Sequence, residues 1–356
     1  MATNTATAAR GIATGRFIKA LLLGKGDYGA ALAYAAGQNW VNTPMVEVAL
    51  RAAVNPVDAT EPLTLPQALA YDFLEVLRPL SILGRLVGVR RIPFNTRMIN
   101  EVTGASAAWI GEGIATPTSA PAFSTDATLT WAKVQAIAVT TNELIRSSAP
   151  SVDSILSSDL AKACAFAMDL AFVDPVNAGI AGVKPASVLF GTQSYNASGT
   201  DVASIDADIR IALSMVNHDL DLGSAYWLMR PSTCIYLSTL RTSGGALAYP
   251  NVKAQGGELA GIPILTSNAI GSVSSPSESF IALVIASEIV VADDNNAAQI
   301  DFSEETSIQM QSAPGAGPQQ VVSLFQHNLS ATRGTKFANW RLRRPDAVAV
   351  ISQVQV

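Results

Sequence analysis

The chain is 356 residues long, 49% apolar and only 14% charged, with a formal net charge of −5. That length supports a sizeable core in one large domain or two to three smaller ones, and the negative balance argues against a general nucleic-acid binder. The charged fraction falls well below the ~25% of an ordinary soluble domain, so either subunit contacts cover much of the surface or a coat of Ser, Thr and Asn does, as in an extracellular β-protein.

Residues 1–12 are Ala/Thr low complexity and are expected to form a mobile tail. Short helical patterns follow to about residue 54: "GRFIKALLLG", "YGAALAYAAGQ" and "TPMVEVALRAAV". In the last, Thr43 reads as an N-cap with Pro44 at the first helical position. The apolar core "ALLL" is too short for a signal peptide, and no window approaches the ~18 apolar residues of a membrane span. A cytosolic product, as synthesised, with no membrane partner is expected. Residues 55–66 form a proline-punctuated linker, after which helical spacing resumes with a break expected at Pro79.

From Val87 the apolar period becomes two. Ile92, Phe94, Met98 and Val102 are expected on one face of a single strand. Next comes "AAWIGEGIATPTSAPAF" (107–123), which holds one tryptophan, Trp109, one carboxylate, Glu112, and no Lys, Arg, His or Cys. The return strand is expected to begin near Leu129, giving an extended β-hairpin around a long loop. A loop of this length in a compact domain is usually functional or disordered, and this one lacks the groups an active site uses.

"APSVDSILSSDLAKACAFAMDLAFVDP" (149–175) is the longest helical pattern. Val152, Ile155, Leu156, Leu160, Ala163, Ala167, Leu170 and Ala171 recur at three and four residues, which predicts one apolar face; Pro175 stops the helix. Residues 202–310 read as an α/β unit: a helix in "VASIDADIRIALSM", a strand then a helix in "AYWLMRPSTCIYLSTLR", a short strand in "GIPILTS" and strand pattern in "FIALVIASEIVVAD". A loop at 312–320 precedes closing β-pattern that ends in "AVAVI".

Charge is unevenly spread. Residues 1–55 hold five bases and two acids, residues 201–310 thirteen acids and four bases, and 333–344 is basic again. This arrangement fits either complementary contacts between copies or ordinary solvated faces. Reactive chemistry is sparse. The two cysteines, Cys164 and Cys234, sit in no metal-ligand spacing and read as small buried hydrophobes. The two histidines, His218 and His327, occupy separate segments. G-x-S-x-G, H-E-x-x-H and a phosphate-loop spacing are all absent. The acid pairs Asp293–Asp294 and Glu304–Glu305 read as exposed strand ends rather than a cation site. Nothing requires an enzyme, a metal or a cofactor, and a cytosolic hydrolase lacks every nucleophile–base pattern.

The order of parts is a helical arm, a long hairpin loop, a long helix, an α/β block and closing strands with Arg344-Pro345 near the end. It resembles the major capsid proteins of tailed bacteriophages, the Hong Kong 97-type family. "ASAAWIGEGIATPTSAPAF" resembles the family's extended loop, with its A-x-W-x-x-E-G core followed by prolines and a Phe. The "LTWAKVQ" segment running into the long helix resembles its return strand and spine helix. "GIPILTSNAI" resembles its G-x-P-(I/V) strand, and the segment ending "RLRRPDAVAVI" its closing strands. The resemblance covers residues 60–356 and implies an α+β fold with residues 1–87 as N-terminal arm. Residues 88–185 and 312–356 would form a peripheral (P) domain, carrying the E-loop (103–128) and the spine helix (150–173). Residues 186–311 would form an axial (A) domain.

The resemblance implies a shell subunit assembling with itself into hexamers and pentamers around double-stranded DNA. Its partners would be a portal and, in some systems, scaffold, maturation protease and decoration proteins; its location would be the virion, assembled in the host cytoplasm. An encapsulin-type bacterial compartment on the same fold is the alternative, and would need a cargo-docking site. The E-loop residues Trp109, Glu112, Pro117, Pro121 and Phe123 are expected at the inter-subunit contact: Trp109 as an aromatic anchor, the prolines as limits on the freedom lost in docking. Arg10, Arg16, Lys19 and Lys25 are expected either to face packaged DNA or to make contacts within the arm. Residues 103–128 contain no lysine, the nearest being Lys133. The lysine–asparagine crosslink of some family members is therefore not expected, and the shell would rely on contacts or a cement protein. Only about 60 residues precede the recognisable part, which fits either a short retained segment with a separate scaffold or an already processed chain.

Overall fold

In the computed structural model, residues 12–38, 40, 43–54, 76–96, 99–103, 122–125, 128–146, 150–216, 220–271, 278–309 and 321–355 are described. The chain opens with α1 (Ile12–Leu23), α2 (Tyr28–Gln38) and α3 (Pro44–Val54), the last starting at the proline its sequence marks. Lys25 and Gly26 turn the backbone left-handed after α1, and the Gly26 amide donates to the Leu21 carbonyl at 3.0 Å. Such a closure satisfies carbonyls that a helix end leaves free. The three helices bury Ala20, Leu21, Ala31, Ala35, Val46 and Leu50 against one another. Ile18 and Leu22, on another side of α1, pack on Ile300 of the sheet described next.

After the short α4 (Ile82–Arg85), the chain supplies β1 (Arg90–Ile92), β2 (Ile99–Thr103), β3 (Ala122–Thr125), β4 (Lys133–Thr141), α5 (Asn142–Arg146) and α6 (Pro150–Val173). Then follow β5 (Gln193–Asn196), α7 (Val202–Met215), β6 (Ala225–Met229), α8 (Pro231–Thr239), β7 (Val252–Lys253), β8 (Gly256–Leu259) and β9 (Ile262–Thr266). The last strands are β10 (Glu278–Ile285), β11 (Ile289–Ser303), β12 (Ser307–Gln309), β13 (Val321–Ser323), β14 (Leu329–Leu342) and β15 (Val348–Gln355).

Two sheets organise these strands. One has four, in the order β1-β11-β14-β4; the other has seven, in the order β5-β15-β10-β6-β9-β8-β7. The centre of the seven-stranded sheet is buried on both faces, which explains its near-continuous apolar runs. Ile281, Leu283 and Ile285 face Ile209, Ala212, Cys234 and Leu237 of α7 and α8, with Ala349 and Ile351 beside them. Ala282 and Val284, on the opposite parity, face a second core that also takes in Val348 and Val350. That core continues through α6 to Val291 and Trp340 of the four-stranded sheet.

The helix at 150–173 has the predicted span, and of its predicted face Leu160 and Ala171 are buried and Leu170 packs against the core, but the buried face as a whole is shifted. Leu160, Ala161, Cys164, Ala165, Met168, Asp169 and Phe172 are buried, whereas Ala163 and Ala167 are exposed. An alanine carries little orientational information in a helix where alanines sit on every side; Cys164, Met168 and Phe172 set the face. The side chains of Val152, Ile155 and Leu156 lie outside the described residues. Gly334 of β14 lets this helix sit close, because a Cβ there would fall 2.6 Å from Leu160 Cδ2.

The single strand expected from residue 87 is two. β1 ends at Ile92, before Pro93, which cannot donate a hydrogen bond. Asn95 then adopts φ +59 and its amide donates to the Leu129 carbonyl at 2.9 Å. β1 joins the four-stranded sheet in parallel with β11, while β2 pairs with β3. The hairpin's return strand is therefore β3; β4, the strand expected in that role, pairs with β14.

Besides the long crossing from β4 through α6 to β5, two short passages connect the two sheets. Residues 286–288 lead from β10 to β11, and residues 343–347 lead from β14 back to β15. Strands of the segment 186–311 and of the segment 312–356 are thus shared by both sheets.

Candidate functional site

The hairpin stem is the described part of the extended loop. Ile99 pairs with Thr125, Asn100 with Ser124 and Glu101 with Phe123, and a register shift follows before Thr103 meets Ala122. Phe123 thus sits on the stem strand β3. Trp109, Glu112, Pro117 and Pro121 lie outside the described residues. In the segments flanking the stem in sequence, Phe94 stacks on Trp131 at 4.1 Å between ring centres, and Trp131 meets Phe337 edge-on at 5.4 Å. The two aromatic contacts tie the segment after β1 to the start of β4 and to β14.

The structure separates the four basic arm residues. Arg10 lies outside the described residues. The Arg16 guanidinium donates to Thr43 Oγ1 at 2.7 Å and lies 5.3 Å over the Trp40 ring, so it is used inside the arm. Lys19 is buried, and Lys25 is exposed in the turn after α1. Of the histidines, His218 lies outside the described residues, and His327 Nδ1 stands 3.0 Å from the Ser323 carbonyl.

Opposite charges from the acidic centre and the basic end meet within one subunit. Lys336 Nζ, buried under α6, lies 2.7 Å from Asp293 Oδ1, and Arg91 Nη1 lies 3.1 Å from Asp293 Oδ2. Arg333 pairs with Asp301 at 2.6 Å. Arg343 Nη1 lies 3.5 Å from Glu288 Oε1, and Arg344 Nε 3.9 Å from Glu288 Oε2. These five pairings stitch β1, β11 and β14 together and brace both short passages between the sheets. This part of the charge asymmetry therefore serves the fold of a single chain. Asp293 is an ion-pair partner, not an exposed strand end, and Glu304 accepts from Ser330 Oγ at 3.1 Å.

A buried carboxylate, Asp169, was not anticipated. It lies on α6 and accepts from the Ile82 amide at 2.7 Å and from Ser267 Oγ at 2.9 Å. Arg85 stands nearby and donates to the Thr266 carbonyl at 2.5 Å. Burial pushes the Asp169 carboxyl up to about 6; its two hydrogen bonds and the charge of Arg85 oppose the shift without cancelling it. Burial also lowers the Arg85 guanidinium from its ordinary value. The knot joins α4, α6 and the end of β9. One sequence signal for it was available: a lone acid inside the apolar run "AFAMDLAF". Beside it runs an open groove of about 400 Å³, lined by Leu80, Phe166 and Pro231 among others.

Cys164 and Cys234 are buried free thiols, and burial pushes both up to about 11, which makes them inert at neutral pH. Among the described residues no cluster of three or more His, Cys, Asp or Glu side chains is placed to hold a metal, and no helix is long and apolar enough to cross a membrane. The prominent features are structural: a hairpin stem, an arm packed on a long helix, and braced passages between two sheets.

Known proteins share this plan. The model of the phage capsid family matches residues 62–352. The capsid polyprotein of Pseudomonas phage PAJU2 is 35% identical over 372 aligned positions, which take in 99% of this chain and 55% of that protein. The chain thus spans about half the length of the curated relative it matches. Among solved structures, a chain from Mycobacterium phage Adephagia superposes with a TM-score of 0.55 at 14% identity, covering 78% of this chain and 91% of that one. A chain from Mycobacterium phage Ogopogo gives 0.54 at 17% identity, covering 77% and 92%. The capsid of a native GTA particle gives 0.51 at 15%, covering 77% and 90%. At such identities these structures speak to the fold, and the family match over most of the chain speaks to descent: the chain belongs to the phage capsid family and has the Hong Kong 97-type fold.

Proposed function

We propose that this chain is the major capsid protein of a tailed bacteriophage or prophage, assembling in the host bacterial cytoplasm into hexamers and pentamers of an icosahedral shell around double-stranded DNA. The observation that carries the reading is the family match over residues 62–352, on a chain with a hairpin stem beneath a long, nearly uncharged loop. Such a loop meets little desolvation cost when laid on a neighbour. Trp109 supplies the aromatic anchor and Phe123 the stem end, Pro117 and Pro121 limit the freedom lost, and Glu112 is the loop's main charged contact.

In this reading residues 1–87 are the arm, 88–185 and 312–356 the P domain, and 186–311 the A domain. β11 and β15 are the strands the two domains exchange. Arg10 and Lys25 are the arm's bases available to packaged DNA, and Arg16 and Lys19 hold the arm together. Portal, scaffold, maturation protease and decoration proteins are the further partners this role calls for. A shell subunit makes several contacts at once, so individually modest interfaces sum through multivalency. Sedimentation and negative-stain electron microscopy of the expressed chain test the reading. Rings, sheets or closed shells are expected, and a chain that stays monomeric at high concentration overturns it.

A further inference from the structure

The hairpin stem stands on two short legs, and both are bound to the four-stranded sheet. Asn95 lies four residues before Ile99, and Leu129 four residues after Thr125. The Asn95 amide donates to the Leu129 carbonyl at 2.9 Å, a bond on the same register as the Ile99–Thr125 pair of the stem. This bond is the root of the ribbon. Three further contacts fasten the root to the sheet. The Ala338 amide donates to the Ala132 carbonyl at 3.0 Å, Asn339 Nδ2 donates to the Thr130 carbonyl at 2.7 Å, and Leu129 packs with Val290 and Ala292. Three rings join the same parts. Phe94 of the outgoing leg stacks on Trp131 of the returning leg with the planes 17° apart, and Trp131 meets Phe337 of β14 at 89°.

We propose that Trp131 is a positioning residue. Held between Phe94 and Phe337, it fixes the direction in which the hairpin leaves the subunit, and assembly with further copies depends on that direction. Trp131 is 45% exposed, so much of its ring gains nothing from burial. Its place is explained by what it connects: one leg through Phe94, the sheet through Phe337, and the other leg through its own backbone. A two-stranded ribbon is soft by itself, so its direction is inherited from its root. The root is close: three Cα steps, about 11 Å at full extension, separate Thr96 from Ile99 and Thr125 from Thr128. Asn95 turns the chain out of β1 with φ +59, a conformation asparagine tolerates better than most residues. Without a fastening across the legs, that turn is a swivel. A stacked or edge-on ring pair favours the closed arrangement by about two- to tenfold. The two pairs together hold the root closed by a factor on the order of ten to a hundred. The inference rests on the reading that copies of this chain assemble through the extended loop.

The test reads direction and assembly separately. Spin labels at Ser124→Cys on β3 and at Ala163→Cys on the exposed side of α6 report the distance from hairpin to body in subunits dispersed by dilution. The native Cys164 and Cys234 are buried and escape labelling. With Trp131 intact, one narrow distance is expected. Trp131→Ala should replace it by a broad distribution and lower the yield of sedimenting particles about tenfold through loss of both ring pairs, with unchanged circular dichroism. Trp131→Phe, which keeps a ring, should restore both readings in part. Phe94→Leu, which keeps apolar bulk but loses the stack, should broaden the distance as well. An unchanged distance in Trp131→Ala overturns the inference and leaves Trp131 a contact to a neighbouring copy or a support of the fold alone. A broadened distance with wild-type assembly overturns the dependence of assembly on direction. If the chain with Trp131 intact fails to assemble, the shell reading falls and takes the assembly half of this inference with it, while the distances still decide whether the rings set the direction.

Discussion

The carboxylate of Glu288 lies 3.5 Å from the guanidinium of Arg343, and each residue belongs to one of the two short passages between the sheets. The Arg343 amide also donates to the Glu288 carbonyl at 2.9 Å. One residue pair thus braces the junction through both backbone and side chain. Removing the Glu288 side chain strands two arginines beside a buried site, an effect on the order of 3 kcal/mol for breaking a buried ion pair. Glu288→Ala is expected to lower stability by about that much in urea or thermal unfolding. Glu288→Gln, which keeps volume and an acceptor, should fall between it and wild type.

Gly334 allows the approach of the spine helix to β14. Gly334→Ala would place a methyl 2.6 Å from Leu160 Cδ2 and 3.0 Å from its Cγ. Since Leu160 is buried, it has little room to yield. Overpacking of this kind typically costs about 1–3 kcal/mol. Leu160→Ala alone should cost about 2–5 kcal/mol through a cavity. The double variant should be less damaging than the sum, a coupling that unfolding of all four proteins measures.

Asp169 gives the fold a predictable pH dependence. Its carboxyl is raised from 3.8 to about 6 by burial, so the folded chain binds the proton more tightly than the unfolded one. The resulting stabilisation is present in full below about 4 and is lost as pH rises through about 6. At ~1.4 kcal/mol per pKa unit this amounts to about 1–3 kcal/mol. Asp169→Asn should flatten that part of the curve, measured as unfolding free energy between pH 4 and 6.5.

Asn177 makes three hydrogen bonds that hold the loop after the helix at 150–173, two of them to the carbonyls of Ala171 and Pro185. Asn177→Ala leaves those partners unmet and is expected to cost about 1–3 kcal/mol. It should also raise amide exchange across 176–188.

Trp109→Ala is expected to leave the subunit folded while impairing shell closure, because an aromatic anchor carries a large share of a contact's energy. Circular dichroism should match wild type. Normal particles of full thermal stability would count against the loop's role.

Local pattern alone determined much of this protein. Pro150 to Val173, the Thr43-Pro44 helix start, the strand–helix pair around Arg230-Pro231 and the burial of both cysteines follow from periodicity, breakers and hydrophobicity. Quoted motifs in order were enough to name the family. Tertiary structure decided what periodicity cannot encode. Alanines populate every side of the spine helix, so only packing against α1, β4 and β14 chose its buried face. Strand pattern gives no partner, so nothing local could say that β3 closes the hairpin while β4 joins β14. Nor could charge counts foretell that Asp293, Asp301 and Glu288 would meet Lys336, Arg333 and Arg343: those pairs form between residues 32 to 55 positions apart. Only the folding of β11 against β14 brings them within reach, because ion pairing depends on distance in space and sequence spacing does not supply it.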